Sequence, residues 1–193
     1  MIKRLFLFLL SAFLVTGCAT ALGPVSYKGQ VTHQSDLAGR VLLNTGEVTG
    51  YSAQSMMYVN GMFIPISTGP MPKLQFGSED QHVFLQSLKN ELVRTGVLKS
   101  ISENTGKDNL EITVNFAHTE HFPQFQEYKF TVLLLLHCGD KSDSKTYEIM
   151  SSDGDSIWAK MNTNALQGKT KAAEKLMVAM IPDIENFAAN IRK

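Results

Sequence analysis

Residues 108–138, DNLEITVNFAHTEHFPQFQEYKFTVLLLLHC, decide the reading of the fold. In the first part, Leu110, Ile112, Val114 and Phe116 alternate with Glu111, Thr113 and Asn115, and a period of two marks a strand with one buried face. In the last part, Tyr128, Phe130, Val132, Leu134 and Leu136 share one face while Leu133 and Leu135 add apolar groups to the other. Apolar residues on both faces predict a central strand buried on both sides. Between the two strands, His118, Glu120 and His121 are closely followed by Pro123, and the stretch reads as a polar loop.

Downstream, Gly139 to Ser144 supplies a polar turn, and Lys145–Met150 and Ser156–Met161 read as two further strands around Asp153-Gly154, with Trp158 in the core. From about Thr170 to Ile191 one apolar stripe (Ala173, Leu176, Met177, Met180, Ile181, Ile184, Phe187, Ala188) predicts an amphipathic helix that docks on the sheet. Pro182 lies inside it, lacks the N–H of a helical residue, and is expected to bend or break the helix near Met180.

Upstream, Ser78 reads as the N-cap of a second helix, with Gln81 three residues on and Glu79 and Asp80 at the positive end of the dipole. Phe84, Leu85, Leu88, Leu92 and Val93 fall at helical spacing, and Gly96 supplies the left-handed stop. Val97–Ser102 reads as a short strand. Further back, Met56-Met57-Tyr58-Val59 and Met62-Phe63-Ile64 flank Asn60-Gly61, the strongest short hairpin signal a sequence offers. Its methionines fit either core filling or an adaptable surface, so Met56, Met57, Tyr58, Met62 and Phe63 are the candidate partner contact. Pro65, Pro70 and Pro72 make the following connection irregular. The elements together predict an α+β fold: one domain, a mixed and mostly antiparallel sheet, and two amphipathic helices packed on it.

The N-terminus carries an address. Lys3 and Arg4 precede an apolar run from Leu5 to Val15, too short for the about 20 residues that cross a bilayer. Val15-Thr16-Gly17-Cys18 resembles the lipobox of bacterial lipoproteins, which implies cleavage before Cys18 and diacylglycerol on its thiol. Ala19 in place of Asp implies, by the enterobacterial sorting habit, a periplasm-facing position on the outer membrane. The expected organisation is a signal over 1–17, a lipidated N-terminus and tether over 18–39, and a periplasmic domain over 40–193 whose first strand holds Val41-Leu42-Leu43. Removing Lys3 and Arg4 from 18 basic residues leaves 16 against 18 acidic ones, a formal −2 that points to no nucleic-acid partner. With Cys18 carrying lipid, Cys138 has no disulfide partner in the chain and reads as a small buried hydrophobe.

Catalytic signatures are absent: no G-x-S-x-G, phosphate-binding glycine loop, H-E-x-x-H or G-x-G-x-x-G occurs. His118, Glu120 and His121 would meet around a metal only on a helical turn. His137, Cys138 and Asp140 form a second group, but strand alternation sends His137 and Cys138 to opposite faces. His33 and His82 have no partner readable from sequence. No catalytic residue, cofactor or metal is therefore expected.

The order of lipobox, tether, strand, the helix ending Leu92-Val93-Arg94-Thr95-Gly96-Val97, antiparallel strands and closing helix resembles YajG-like lipoproteins. More distantly it is similar to the periplasmic domains of the LpoB, PelC and CsgG type. The likeness covers roughly residues 78 to 190 and is one of pattern; it implies a mixed sheet with helices and roles as accessory factors, envelope regulators or ring-forming export components. The leading expectation is a non-enzymatic accessory or scaffold that is held on the membrane by its lipid and docks with another envelope protein. The alternatives are a self-associating export or pore accessory ring, with the hairpin as contact, and a metal-dependent envelope enzyme.

Overall fold

The computed structural model describes residues 21–44, 53–59, 62–68, 76–104, 106, 108–122, 127–152, 155 and 164–191. In chain order these form β1 (Ala38–Asn44), β2 (Ala53–Val59), β3 (Met62–Thr68), α1 (Ser78–Arg94), β4 (Ser100–Ile101), β5 (Leu110–Phe122), β6 (Glu127–Cys138), β7 (Lys141–Met150) and α2 (Ala165–Ile191). The expected Ser156–Met161 strand, the Asp153-Gly154 turn and Trp158 lie outside the described residues.

β5 is the hub of the sheet. Along one edge β6 pairs antiparallel from Glu111↔His137 to Phe122↔Glu127, and β7 continues antiparallel outside it. Along the other edge the first half of β5 pairs parallel with β1, and β4 lies parallel outside β1. At its far end β5 meets β2 through Ala53↔His121, also parallel, and β2 pairs antiparallel with β3 from Ala53↔Thr68 to Val59↔Met62. This is the predicted α+β fold, a mixed and mostly antiparallel sheet in one domain; the connecting residues Asn60 and Gly61 lie outside the described residues.

One continuous core fills the space between the sheet and the two helices. Ile112, Val114 and Phe116 of β5 lie opposite Leu136, Leu134 and Val132 of β6, and with Leu110 and Phe130 they are nearly inaccessible to water. Phe76, Phe84, Phe116 and Phe130 meet with centroids 4.4 to 5.9 Å apart. From above, α1 supplies Phe84, Leu88 and Leu92, and α2 supplies Ala172, Ala173, Leu176, Met177, Met180, Ile181 and Ile184. No helix among the described residues is long and apolar enough to cross a membrane.

Several expectations require correction. His118–His121 is not a loop but the end of β5, and the ladder slips between Phe116 and His118, leaving Ala117 as a bulge. The extra residue inverts the alternation: His118 and Glu120, which strict period two would bury, turn outward, while Thr119 and His121 turn inward. Nor is β6 buried on both sides. Leu133 is half-buried and Leu135 is 40 % exposed, because among the described residues the helices cover only the other face. The polar turn contracts to Gly139 and Asp140, with Gly139 at φ 59, and Lys141–Ser144 belong to β7. A charged, serine-rich outer strand of this kind discourages pairing with further chains.

In α1 the N-cap is Gly77 and not Ser78, which is exposed and makes the first helical residue. The first turn is oriented by Asp80 and Gln81, both buried, and Gln81 donates its N–H to the Gly77 carbonyl at 3.0 Å. Gly96 has φ 81, the expected left-handed stop. α2 starts earlier than the apolar stripe suggested, because Asn164 and Gln167 cap it reciprocally, each side chain accepting the other's backbone N–H at 2.9 to 3.0 Å. It runs unbroken through Pro182. The carbonyl that loses its partner belongs to Val178, a residue 48 % exposed and therefore on the solvent side of the helix, where the loss costs least.

Candidate functional site

The tether expected over residues 18–39 is, from Ala21 onward, a strap laid on the two helices. Leu22, Val25 and Tyr27 are 3 to 5 % exposed and join the hydrophobic core. An irregular backbone is buried without large cost only when its polar groups find partners, and here the helices provide them. Leu22 N–H donates to Asp80 Oδ1 at 2.7 Å and Val25 N–H to Ser87 Oγ at 3.0 Å. The Tyr27 carbonyl accepts from Arg94 Nη2 at 3.0 Å, and Ser35 N–H reaches the Gly96 carbonyl at 2.8 Å.

Two charged clasps hold this strap. Asp80 also accepts from Lys169 Nζ at 2.7 Å, and with side chains 6 and 2 % exposed the pair ties the starts of α1 and α2 together under Leu22. At the other end Glu185 Oε1 receives the backbone N–H groups of Thr32 (2.7 Å) and His33 (2.6 Å) and the Thr32 hydroxyl (2.7 Å). His33 Nδ1 lies 3.3 Å away, which gives this histidine the partner its sequence did not reveal. Burial pushes the Glu185 carboxyl up, but the hydrogen bonds from Thr32 and His33 outweigh it and hold the pKa below the carboxylate norm.

The histidine groups do not converge. His118 Nε2 pairs with Glu120 Oε1 at 3.0 Å on the outward face, while His121, on the opposite face, stacks on Tyr128 with centroids 4.6 Å apart. His137 points outward and Cys138 inward. Cys138 is a buried thiol 3.8 Å from the Asp108 carbonyl, and burial, with Asp108 nearby and Lys141 opposing, pushes its pKa up. Among the described residues no three His, Cys, Asp or Glu side chains are grouped to hold a metal ion.

A polar cleft of about 620 Å³ opens beside the start of β5, lined by Arg40, Asn109, Glu111, His137 and Asp140 among others. Arg40 and Glu111 face each other across it at 3.7 Å. Among the described residues it brings charge of both signs together without a nucleophile and base in contact. The candidate contact residues Met56, Met57, Tyr58, Met62 and Phe63 lie in β2 and β3, whose side chains fall outside the described set, as does Cys18.

No family model matches this chain, and no curated protein matches it by sequence. Two solved structures are similar to it over most of their length. One is of an uncharacterised protein, 11 % identical with a TM-score of 0.39, covering 86 % of this chain and 98 % of its own. The other is protein XCC0632 from Xanthomonas campestris, of family DUF330, 10 % identical with a TM-score of 0.42, covering 88 % of this chain and 99 % of its own. Likeness of this degree carries no functional argument.

Proposed function

We propose that this chain is a lipid-anchored, periplasm-facing accessory lipoprotein of the bacterial outer membrane, which docks with another envelope protein and does no chemistry of its own. The observation that supports the reading best is the spacing between anchor and body. Cys18, in its lipobox-like setting, stands four residues before Leu22, where the strap is already clasped to Asp80. A free tether of twenty residues would reach roughly 60 to 70 Å, whereas four residues reach at most about 14 Å. The folded body is thereby held against the membrane surface, a placement suited to a partner in the same membrane. The dispersal of His118, His121, His137 and Cys138 over two sheet faces weighs against the metal-enzyme alternative.

Intact mass and vesicle flotation of protein extracted from envelopes test the anchor. The expected product lacks residues 1–17, carries acyl chains on Cys18 and floats; Cys18→Ser retains none of these properties. Native mass after brief crosslinking tests docking, with a discrete hetero-complex expected. A monomer under those conditions, together with substrate turnover by the purified domain, would sink the accessory reading.

A further inference from the structure

The strap is held by its backbone. Five of its main-chain groups meet helix side chains: the Leu22 N–H meets Asp80, the Val25 N–H meets Ser87, the Thr32 and His33 N–H groups meet Glu185, and the Tyr27 carbonyl meets Arg94. Between Leu22 and Tyr27 it follows α1 from Asp80 to Arg94, a rise of about 21 Å. Its five residues reach at most about 18 Å, and the long Arg94 side chain closes the difference, so this part of the strap is fully extended. Every residue except proline offers the same main-chain groups, and bonds of this kind hold an extended segment whatever its sequence. Selection falls to the three buried side chains Leu22, Val25 and Tyr27, because Gly23, Pro24, Ser26, Lys28, Gly29 and Gln30 are exposed. Extended peptides are recognised in this way on other proteins, with main-chain bonds giving affinity and a few side-chain sites giving specificity.

The surface under the strap has the chemistry of an exterior. On α1, Asp80, Ser87 and Arg94 bond the strap directly and Glu91 holds Arg94, all on one side of the helix at separations of seven, four and three residues. On α2, Glu185 bonds Thr32 and His33, Glu174 bonds Lys28, and Lys169 supports Asp80. Asp80, Ser87, Glu91, Lys169 and Glu185 are buried. A segment that never leaves is covered at least cost by apolar groups, since burying charge forfeits its hydration. Charged and hydroxyl side chains recover water when a cover is lifted, so the seam between α1 and α2 is compatible with being open. The Asp80–Lys169 pair joins the helices without the strap's help. Past the strap, the Leu37 carbonyl accepts the Lys99 N–H at 2.9 Å and β1 begins at Ala38, so the strap can detach up to that point with the sheet intact.

We propose that the seam between α1 and α2 is a binding groove for an extended segment of the protein partner, and that the strap is its intramolecular occupant, displaced when the partner binds. The inference deepens the docking reading above and rests on it. The segment that fits has apolar residues at the spacing of Leu22, Val25 and Tyr27, and no proline at the positions of Leu22 and Val25, whose N–H groups Asp80 and Ser87 require. An occupant belonging to the same chain competes at an effective concentration of about millimolar order. A peptide added in trans therefore competes poorly with the intact strap and well with a weakened one.

The probe is a fluorophore-labelled peptide with the sequence of residues 21–35, titrated by polarisation into the full acylated chain and into the same chain carrying Leu22→Ser and Val25→Ser. The loosened chain should bind it at least about tenfold more tightly than the parent. A peptide carrying Leu22→Ser, Val25→Ser and Tyr27→Ser should bind neither chain. In the parent chain, hydrogen exchange at Leu22, Val25 and Thr32 should run at least about 100-fold faster than at the core residues of β5 and β6, because the strap opens locally. Strap and sheet amides exchanging at one common rate overturn the proposal, since the strap then leaves only on global unfolding; this result decides the matter even if the loosened chain fails to fold. A folded loosened chain that binds the peptide no more tightly than the parent overturns it as well. Native mass is recorded with and without excess peptide. A hetero-complex that the peptide does not dissociate sinks this inference alone, whereas peptide binding by a protein that forms no hetero-complex sinks the docking reading and leaves the groove.

Discussion

Lys169→Met removes the ammonium from a clasp that joins both helices and the strap. Lys169 Nζ lies 2.7 Å from Asp80 Oδ2, the two side chains are 2 and 6 % exposed, and Asp80 Oδ1 also holds the Leu22 N–H. Methionine fills much of the lysine stem's volume, so the loss is electrostatic: a buried carboxylate deprived of its cation costs about 3–5 kcal/mol. For a domain of this size each kcal/mol moves Tm by about 2–4 °C, so a drop of about 6–20 °C is expected. The double variant Asp80→Leu/Lys169→Met removes both charges and should recover most of that loss. It should still fall short of the parent by about 1–3 kcal/mol, because the Leu22 N–H has lost its acceptor. Urea and thermal unfolding followed by circular dichroism measure all three proteins. A single variant within about 1 kcal/mol of the parent, or a double variant no more stable than the single one, refutes the argument that desolvated charge decides the clasp.

Further outcomes follow from the same structure. Glu185 has a depressed pKa in the folded protein, so its contribution is complete above the ordinary carboxylate value of 4.5 and is lost as pH falls through the lower folded value. Hydrogen exchange at Thr32 and His33 should accelerate over that acid range, and Glu185→Gln should show fast exchange already at neutral pH. The raised pKa of buried Cys138 predicts slow alkylation of native protein near neutrality and fast alkylation once urea unfolds it; equal rates would show the thiol to be accessible. Gly39→Ala places a methyl 2.2 Å from Leu98 Cδ1, in a residue 1 % exposed, and should cost about 1–3 kcal/mol by overpacking in urea titrations.

The parts of the fold legible in the sequence are those governed by one period. Leu110 to Phe116 alternate against a single helical layer, and Phe84, Leu88 and Leu92 recur on one helix face, so each buried stripe could be read locally. What escaped depends on a neighbour distant in sequence. The bulge at Ala117 exists only with respect to β6, and period two continued through it would have buried His118 and Glu120. Leu133 and Leu135 looked like core because apolar residues on both faces usually mean two covering layers, whereas the helices here cover one. Ser78 satisfied a local capping rule, yet Asp80 had to face Leu22 and Lys169, and the helix start followed that requirement. Leu22, Val25 and Tyr27 are spaced by three and two residues and match no regular element. The signal that identifies them is the presence of large apolar groups in a segment otherwise rich in glycine and polar residues.

The strap also determines how the domain carries load. A pull on the chain before Leu22, directed toward the pole where the helices begin, acts along the strap and nearly parallel to both helix axes. The bonds at Leu22, Val25, Tyr27, Thr32, His33 and Ser35 are then strained together in shear, and none opens ahead of the others as the teeth of a zipper would. A pull perpendicular to the sheet meets them one at a time, beginning at Asp80. The attachment is thus mechanically anisotropic: stiff against extraction along the long axis, and compliant to peeling from the side.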